Sequence, residues 1–336
     1  MSIIGSHLES LAAGAKARGR IPVGTLASGR AIEIPYLLLR GMQPGRCLWI
    51  NGQVHGDEIN GIMAALGFFH ALDPSELRGS VVVVPTANPL AFDARRKKAP
   101  QDEQDLDQTF PGRDTGFISD RMAHALFLEA SGAADVLLSL HAIGAEMDAV
   151  PYCVYKLHAN GRIAEGELLS LIACFRPSVA CRQDVAAAGT ELPGNIAGAL
   201  DYQMLALGKP AFNVEIGCAA RLQPELIDRA VAGLRRVAGQ CGLLPVSARP
   251  GERLRRVTRR AQISCSHGGI FRPRCRPGEV IGAGVGAGEI VDLYGDTLEK
   301  ISFAQDVIVI ALRQEPVVHS GDRVLFVAQE WDEVSA

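Results

Sequence analysis

The chain has 336 residues, of which 48% are hydrophobic and 21% charged, and its formal net charge is −3. This length exceeds one average domain and the apolar share can build a substantial core, so one large and one small unit are expected. The near-neutral balance argues against a protein organised around nucleic acid or an anionic membrane.

Short apolar runs alternate with helical patterns through residues 1–246. The run Cys47–Ile50 (CLWI) reads as a buried strand. Ile59 to Leu72 follows, with apolar residues at 59, 62, 63, 66 and 69 forming a helical stripe. Val81–Val84 (VVVV) is a second buried strand, Arg121–Ala130 a helix, and Val136–Leu140 (VLLSL) a third strand. Ala211–Ile216 (AFNVEI) is a fourth, followed by a helix over Pro224–Gln240. The alternation predicts an α/β unit with a mixed, mostly parallel sheet carrying helices on both faces. Pro245–Arg253 (PVSARPGER) has the character of a linker. Beyond it glycines crowd together and short β-type runs follow, at Val307–Leu312 and Val324–Val327, so residues 254–336 are expected to form a small all-β, barrel-like domain.

The eight cysteines lie scattered at 47, 153, 174, 181, 218, 241, 265 and 275 with no CxxC pair, the pattern of reduced, mostly buried thiols. The N-terminal stretch MSIIGSHLESLAAGAKARGR lacks a basic region followed by an apolar core, and no apolar run approaches the roughly 20 residues needed to span a bilayer. Both features point to the cytoplasm and away from a membrane partner. A homo-oligomer is compatible with this composition.

Four polar residues follow predicted strands or close them: His55, Asn88, His141 and Glu215. In open α/β sheets, ligand sites gather outside the carboxyl ends of the strands, so residues far apart in sequence can meet at one rim. His55 and Glu58 are three residues apart, with Glu58 opening a helix, a spacing that lets an imidazole and a carboxylate converge on one ion. His141 is the best-placed third ligand. Two histidines and one carboxylate leave a coordination position open, as catalytic zinc sites do. Taken alone, HGDE is equally consistent with a polar loop capping a helix. Glu215, a carboxylate within an apolar strand, is costly unless paired or functional.

The segments NGQVHGDEINGI, NPLAFDARRKKAP, DLDQTFPG, LLSLHA and GKPAFNVEIG occur in that order. Together they resemble the succinylglutamate desuccinylase/aspartoacylase family, relatives of the zinc carboxypeptidases, over roughly residues 45–330. The resemblance implies one zinc per chain held by His55, Glu58 and His141, with Glu215 as the catalytic glutamate. It further implies a basic residue near the developing oxyanion. Arg95, Arg96, Lys97 and Lys98 are the candidates; counting back from Pro100 points to Lys97, and a one-residue shift, favoured here, to Arg96. Asn88, Lys97, Asp107 and Gln108 are the expected substrate-binding positions.

The family commonly carries an Asn-Arg pair that clamps a substrate carboxylate. This chain has Asp107-Gln108 instead, and a glutamine cannot make a bidentate clamp. The expectation is a deacylase for a small-molecule amide that lacks a carboxylate at this subsite. Lys97, Arg113 or Arg182 could restore the charge, which would leave an ordinary N-acyl amino acid as substrate. A third reading is a non-catalytic metal-binding protein. His158, His267 and His319 read as isolated surface or core histidines. The arginines at 253, 255, 256, 259 and 260 alternate with Leu254 and Val257 and fit a solvated strand face better than a nucleic-acid surface.

Overall fold

The computed structural model describes residues 2–185, 194–245 and 253–335. Its centre is a group of parallel strands, β3 (Gln43–Asn51), β4 (Arg78–Val84), β5 (Val136–Ile143) and β9 (Ala211–Cys218). Their apolar runs are unbroken because both faces are buried. Trp49, Val82, Val84 and Leu137 pack into one core, beneath helices α1 (Ile3–Ser10) and α4 (Ile118–Ala133). Leu48, Ile50, Val81, Val83 and Leu138 pack into the other, beneath α2 (Ile59–His70), α5 (Glu165–Ala173) and α7 (Pro224–Gln240). Two further helices are short: α3 (Pro89–Ala94) and α6 (Leu200–Ala206).

The expected strands and helices are present, most of them longer than expected. Additional strands extend the sheet on both sides. An antiparallel pair, β1 (Lys16–Thr25) and β2 (Ala31–Arg40), lies outside β4. On the other flank β7 (Tyr152–Lys156) runs antiparallel to β9, and β8 (Ala180–Gln183) parallel to β7. β6 (Met147–Ala149) is a short strand before β7.

Residues 246–252, most of the expected linker, lie outside the described residues. The chain re-enters as β10 (Arg253–Ser264), which pairs directly with β8 through Arg256 and Val257. From there the sheet continues through β17 (Arg323–Ser335), β15 (Val307–Arg313) and β12 (Val280–Ile281), while β6 also pairs with β15. A separate antiparallel sheet holds β11 (Gly269–Pro273), β13 (Gly286–Val291), β14 (Thr297–Ser302) and β16 (Val317–Val318). The C-terminal strands thus have their own core around Phe271 and Ile290. They also share one with β7 and β8, built from Tyr152, Val154, Cys181, Val257 and Phe326.

Leu254 and Val257 point inward as expected, while Arg253, Arg256 and Arg259 pair with acids of β17. Arg260 departs from this pattern, being buried against Phe326. All eight cysteines are free, and all but Cys241 are buried. Among the described residues no helix is long and apolar enough to cross a membrane.

Candidate active site

His55, His141 and Glu215 sit at the carboxyl ends of β3, β5 and β9. His141 and Glu215 are register partners on adjacent strands. The loop that carries His55 can lie against α3 because Gly56 has no side chain; a Cβ there would run into the backbone of Ala91. Glu58 occupies the N-cap of α2 but makes no capping hydrogen bond with its side chain. Its two oxygens face the imidazoles instead, Oε1 at 2.7 Å from His55 Nδ1 and Oε2 at 3.1 Å from His141 Nδ1. The ligand atoms of His55, Glu58 and His141 all lie within 4.8 Å of one another.

The remaining ring nitrogens are also engaged. His55 Nε2 is 2.9 Å from Asp105 Oδ1, and His141 Nε2 is 3.1 Å from Ser139 Oγ. Outer partners of this kind fix ring orientation, so the Nδ1 atoms are aimed at one point. The electrostatics agree. Burial disfavours charge on both rings, yet Glu58 and Asp105 raise His55 well above its usual range, and Glu58 above all raises His141 to about 8. Burial would likewise raise Glu58, but the two histidines hold it down at about 2. The site therefore favours positive charge between its three side chains. Two imidazoles and a carboxylate are also the donor set of catalytic zinc sites, so these residues fit that ion.

Glu215 lines, together with His55, Glu58 and His141, a cavity of about 770 Å³. Burial is the main cause that raises its carboxyl, to about 7; Glu58 raises it further and His141 opposes. A carboxyl poised near neutrality can accept a proton and return it.

The other expected site residues are distributed as follows. Lys97 lines the cavity and its Nζ is 3.0 Å from Asp105 Oδ2. Arg96 does not line it; 55% exposed, it pairs with Glu103 at 3.2 Å on the surface. Asn88 is fully buried and caps α3, its Oδ1 accepting from Ala91 N at 3.1 Å, and it too is absent from the cavity wall. Asp107 and Gln108 do line the cavity. Gln108 Oε1 accepts from Asn195 N at 3.1 Å, next to Gly194, whose φ of +107° suits glycine. Arg113 and Arg182 pair with Asp120 and Glu165 outside the cavity wall.

Several residues of the site were not anticipated: Asp105, Tyr152, Lys156, Asn213 and Arg260 on the wall, and Ser139 against His141. Two of them had a signal. Ser139 and Asn213 each precede a recognised residue by two positions on a strand, which places both on the same face. Arg260, Gln262 and Arg323 come from the C-terminal strands, so that region forms part of the wall.

A sequence profile of the succinylglutamate desuccinylase/aspartoacylase catalytic domain matches residues 44–240, more than half of the chain. This protein belongs to that family. Among curated proteins, N-alpha-acetyl-L-2,4-diaminobutyric acid deacetylase of Halomonas elongata is 32% identical over 123 residues, 36% of this chain and 35% of that protein. The match thus spans about a third of that relative's length. Solved structures share the fold along nearly the whole chain. A succinylglutamate desuccinylase from a Silicibacter species superposes with a TM-score of 0.80 at 19% identity, covering 95% of this chain and 98% of that one. The product-bound ectoine utilization protein of Ruegeria pomeroyi gives 0.80 at 20% identity, covering 95% and 97%. An aspartoacylase family protein from Mesorhizobium loti gives 0.76 at 24% identity, covering 97% and 98%. At these identities the superpositions speak for the family fold, not for a substrate.

Proposed function

We propose that this protein is a zinc-dependent deacylase that hydrolyses the amide bond of a small N-acyl compound. The observation that carries this reading is the convergence of His55 Nδ1 and His141 Nδ1 on the two oxygens of Glu58, with Glu215 in register beside His141. One zinc per chain would be held by His55, Glu58 and His141. When bound, it supplies Lewis-acid polarisation of the acyl carbonyl and lowers the pKa of water. Glu215 takes the proton of the attacking water and delivers it to the leaving nitrogen. The C–N bond breaks as a C–O bond forms, giving a carboxylic acid and an amine. Lys97, held by Asp105 at the cavity edge, is the cation best placed to oppose charge developing on the carbonyl oxygen, a role for which Arg96 is turned the wrong way. The catalytic unit is residues 1–246; residues 254–336 form a β unit that completes the cavity wall.

The substrate group that meets residues 107 and 108 is not a carboxylate. Gln108 is committed to Asn195 and Asp107 would repel an anion. The relative from Halomonas elongata, named for an acetylated diamino acid, is in keeping with a substrate that carries an amine. Lys98, Arg260 and Arg323 line other parts of the cavity, which favours a second reading in which an N-acyl amino acid presents its carboxylate there.

Glu215→Gln tests the assignment of the base. The variant should keep its metal while kcat falls by roughly 100-fold or more. Near-normal kcat would mean that another group activates the water.

A further inference from the structure

Resting on the deacylase reading, we propose that Asp107 and Asn213 form a subsite for a primary ammonium group of the substrate, about one pleat from the scissile amide. Asn213 is 6% exposed, lines the cavity, and its Oδ1 has no hydrogen-bond partner. Asp107 Oδ1 is likewise buried without a partner on the cavity wall. Buried polar atoms are almost always satisfied, so acceptors left open on the wall of a cavity mark the place of a ligand that donates. Nearby Gln183, 5% exposed, also has an unpartnered amide nitrogen, so this stretch of wall is not closed by its own contacts.

Charge selects the donor. Lys156, 2% exposed, is the cation of this region, but its Nζ is bound to both oxygens of Asp201, at 2.8 and 2.7 Å. That pair is internally neutral, so Lys156 is taken up by Asp201 and the Asp107 carboxylate keeps an unpartnered oxygen on this part of the wall. A neutral hydroxyl or amide would satisfy one acceptor. An ammonium can satisfy both and also balance the charge, with the stronger hydrogen bonds of a charged donor.

Position sets the reach. Asn213 lies two residues before Glu215 on β9, so the two side chains leave the same face about 7 Å apart. An amine a few methylenes from the acylated nitrogen spans that gap, whereas a substrate without a second amine leaves both acceptors open.

The test uses zinc-loaded protein and monoacetylated ethylene-, propylene- and butylenediamine, each compared with the analogue in which methyl replaces the ammonium. Binding is measured by calorimetry in the Glu215→Gln background, where turnover is slowed, and kcat and KM are measured in wild type. At least one diamine should bind about tenfold or more tighter than its methyl analogue. Asn213→Leu and Asp107→Asn should each remove most of that difference, through KM rather than kcat. Equal binding of ammonium and methyl ligands at every length would overturn the subsite, as would a preference for ammonium that survives both substitutions. Failure to cleave any of these compounds, with the binding preference intact, would count against the deacylase reading and leave the subsite standing.

Discussion

Two parts of one cavity differ in how far their own contacts satisfy them. On the metal side all four imidazole nitrogens of His55 and His141 have partners, shared among Glu58, Asp105 and Ser139. Next to it Asp107, Gln183 and Asn213 each keep a buried polar atom with none. In the first arrangement Glu58 Oε2 lacks a hydrogen bond but faces His141 Nδ1 at 3.1 Å, where the three side chains converge, so its geometry is set before any substrate arrives. The second becomes complete only with a ligand. A site that must perform one reaction on one class of compound gains from this division, since chemistry depends on preorganisation and selection on the groups left open.

The comparison is broken most severely by removing a ligand. His55→Ala and His141→Ala should each lose bound zinc and activity together, as read by elemental analysis and acyl-release assays. Full occupancy in both variants would show that the metal, if any, binds elsewhere.

The next effect falls on stability. Lys156→Ala leaves Asp201 buried without its counter-charge, and removing one partner of such a pair costs about 3–5 kcal/mol. Urea unfolding should report that loss. A change below about 1 kcal/mol would mean that the pair is not buried in solution as it is here.

Asp105→Asn should act more mildly. It removes the charge that orients His55 and holds Lys97, and loss of such an outer partner weakens metal affinity by about 10- to 100-fold. Competition with a zinc chelator measures this directly. If affinity is unchanged while activity falls, Asp105 serves through Lys97 alone.

Reinstating an arginine clamp sharpens the comparison on the substrate side. Asp107→Asn combined with Gln108→Arg should shift kcat/KM from acylated amines towards acylated amino acids by about tenfold. Because the change at position 108 also gives up the bond to Asn195, thermal melting checks that the variant folds. The smallest effect expected is that of Arg96→Ala. An exposed pair such as Arg96–Glu103 contributes about 0–1 kcal/mol, so kcat should stay within about twofold of wild type. A hundredfold loss would return Arg96 to the reaction.

Much of this architecture was legible in the residues. Runs such as VVVV and VLLSL announce strands buried on both faces, and polar residues at their ends announce a rim. Strands β1 and β2 were less visible, because β1 carries Gly19 and Pro22 with much of its length exposed, so no clean apolar run marks it. The join between β8 and β10 could not be read at all, since pairing between strands so far apart in sequence leaves no local pattern. Within the site, spacing brings His55 and Glu58 together, whereas side-chain direction does not follow from it. Among four consecutive basic residues, the left-handed backbone at Arg95 (φ 54°) follows α3, and the chain beyond it turns Arg96 outward and Lys97 inward. Asn88, expected as a substrate contact, caps α3 here, since a strand end before Pro89 is equally the place of a helix cap.

Metal dependence through the His55–Glu58–His141 cluster is the core of the proposed activity. It is tested most directly by stripping the protein with a chelator and titrating zinc back while acetate release from a monoacetylated diamine is followed. Release should be negligible without metal and reach its full rate at about one equivalent per chain. Undiminished hydrolysis by the stripped protein, or no acetate from the fully zinc-loaded one, would contradict it.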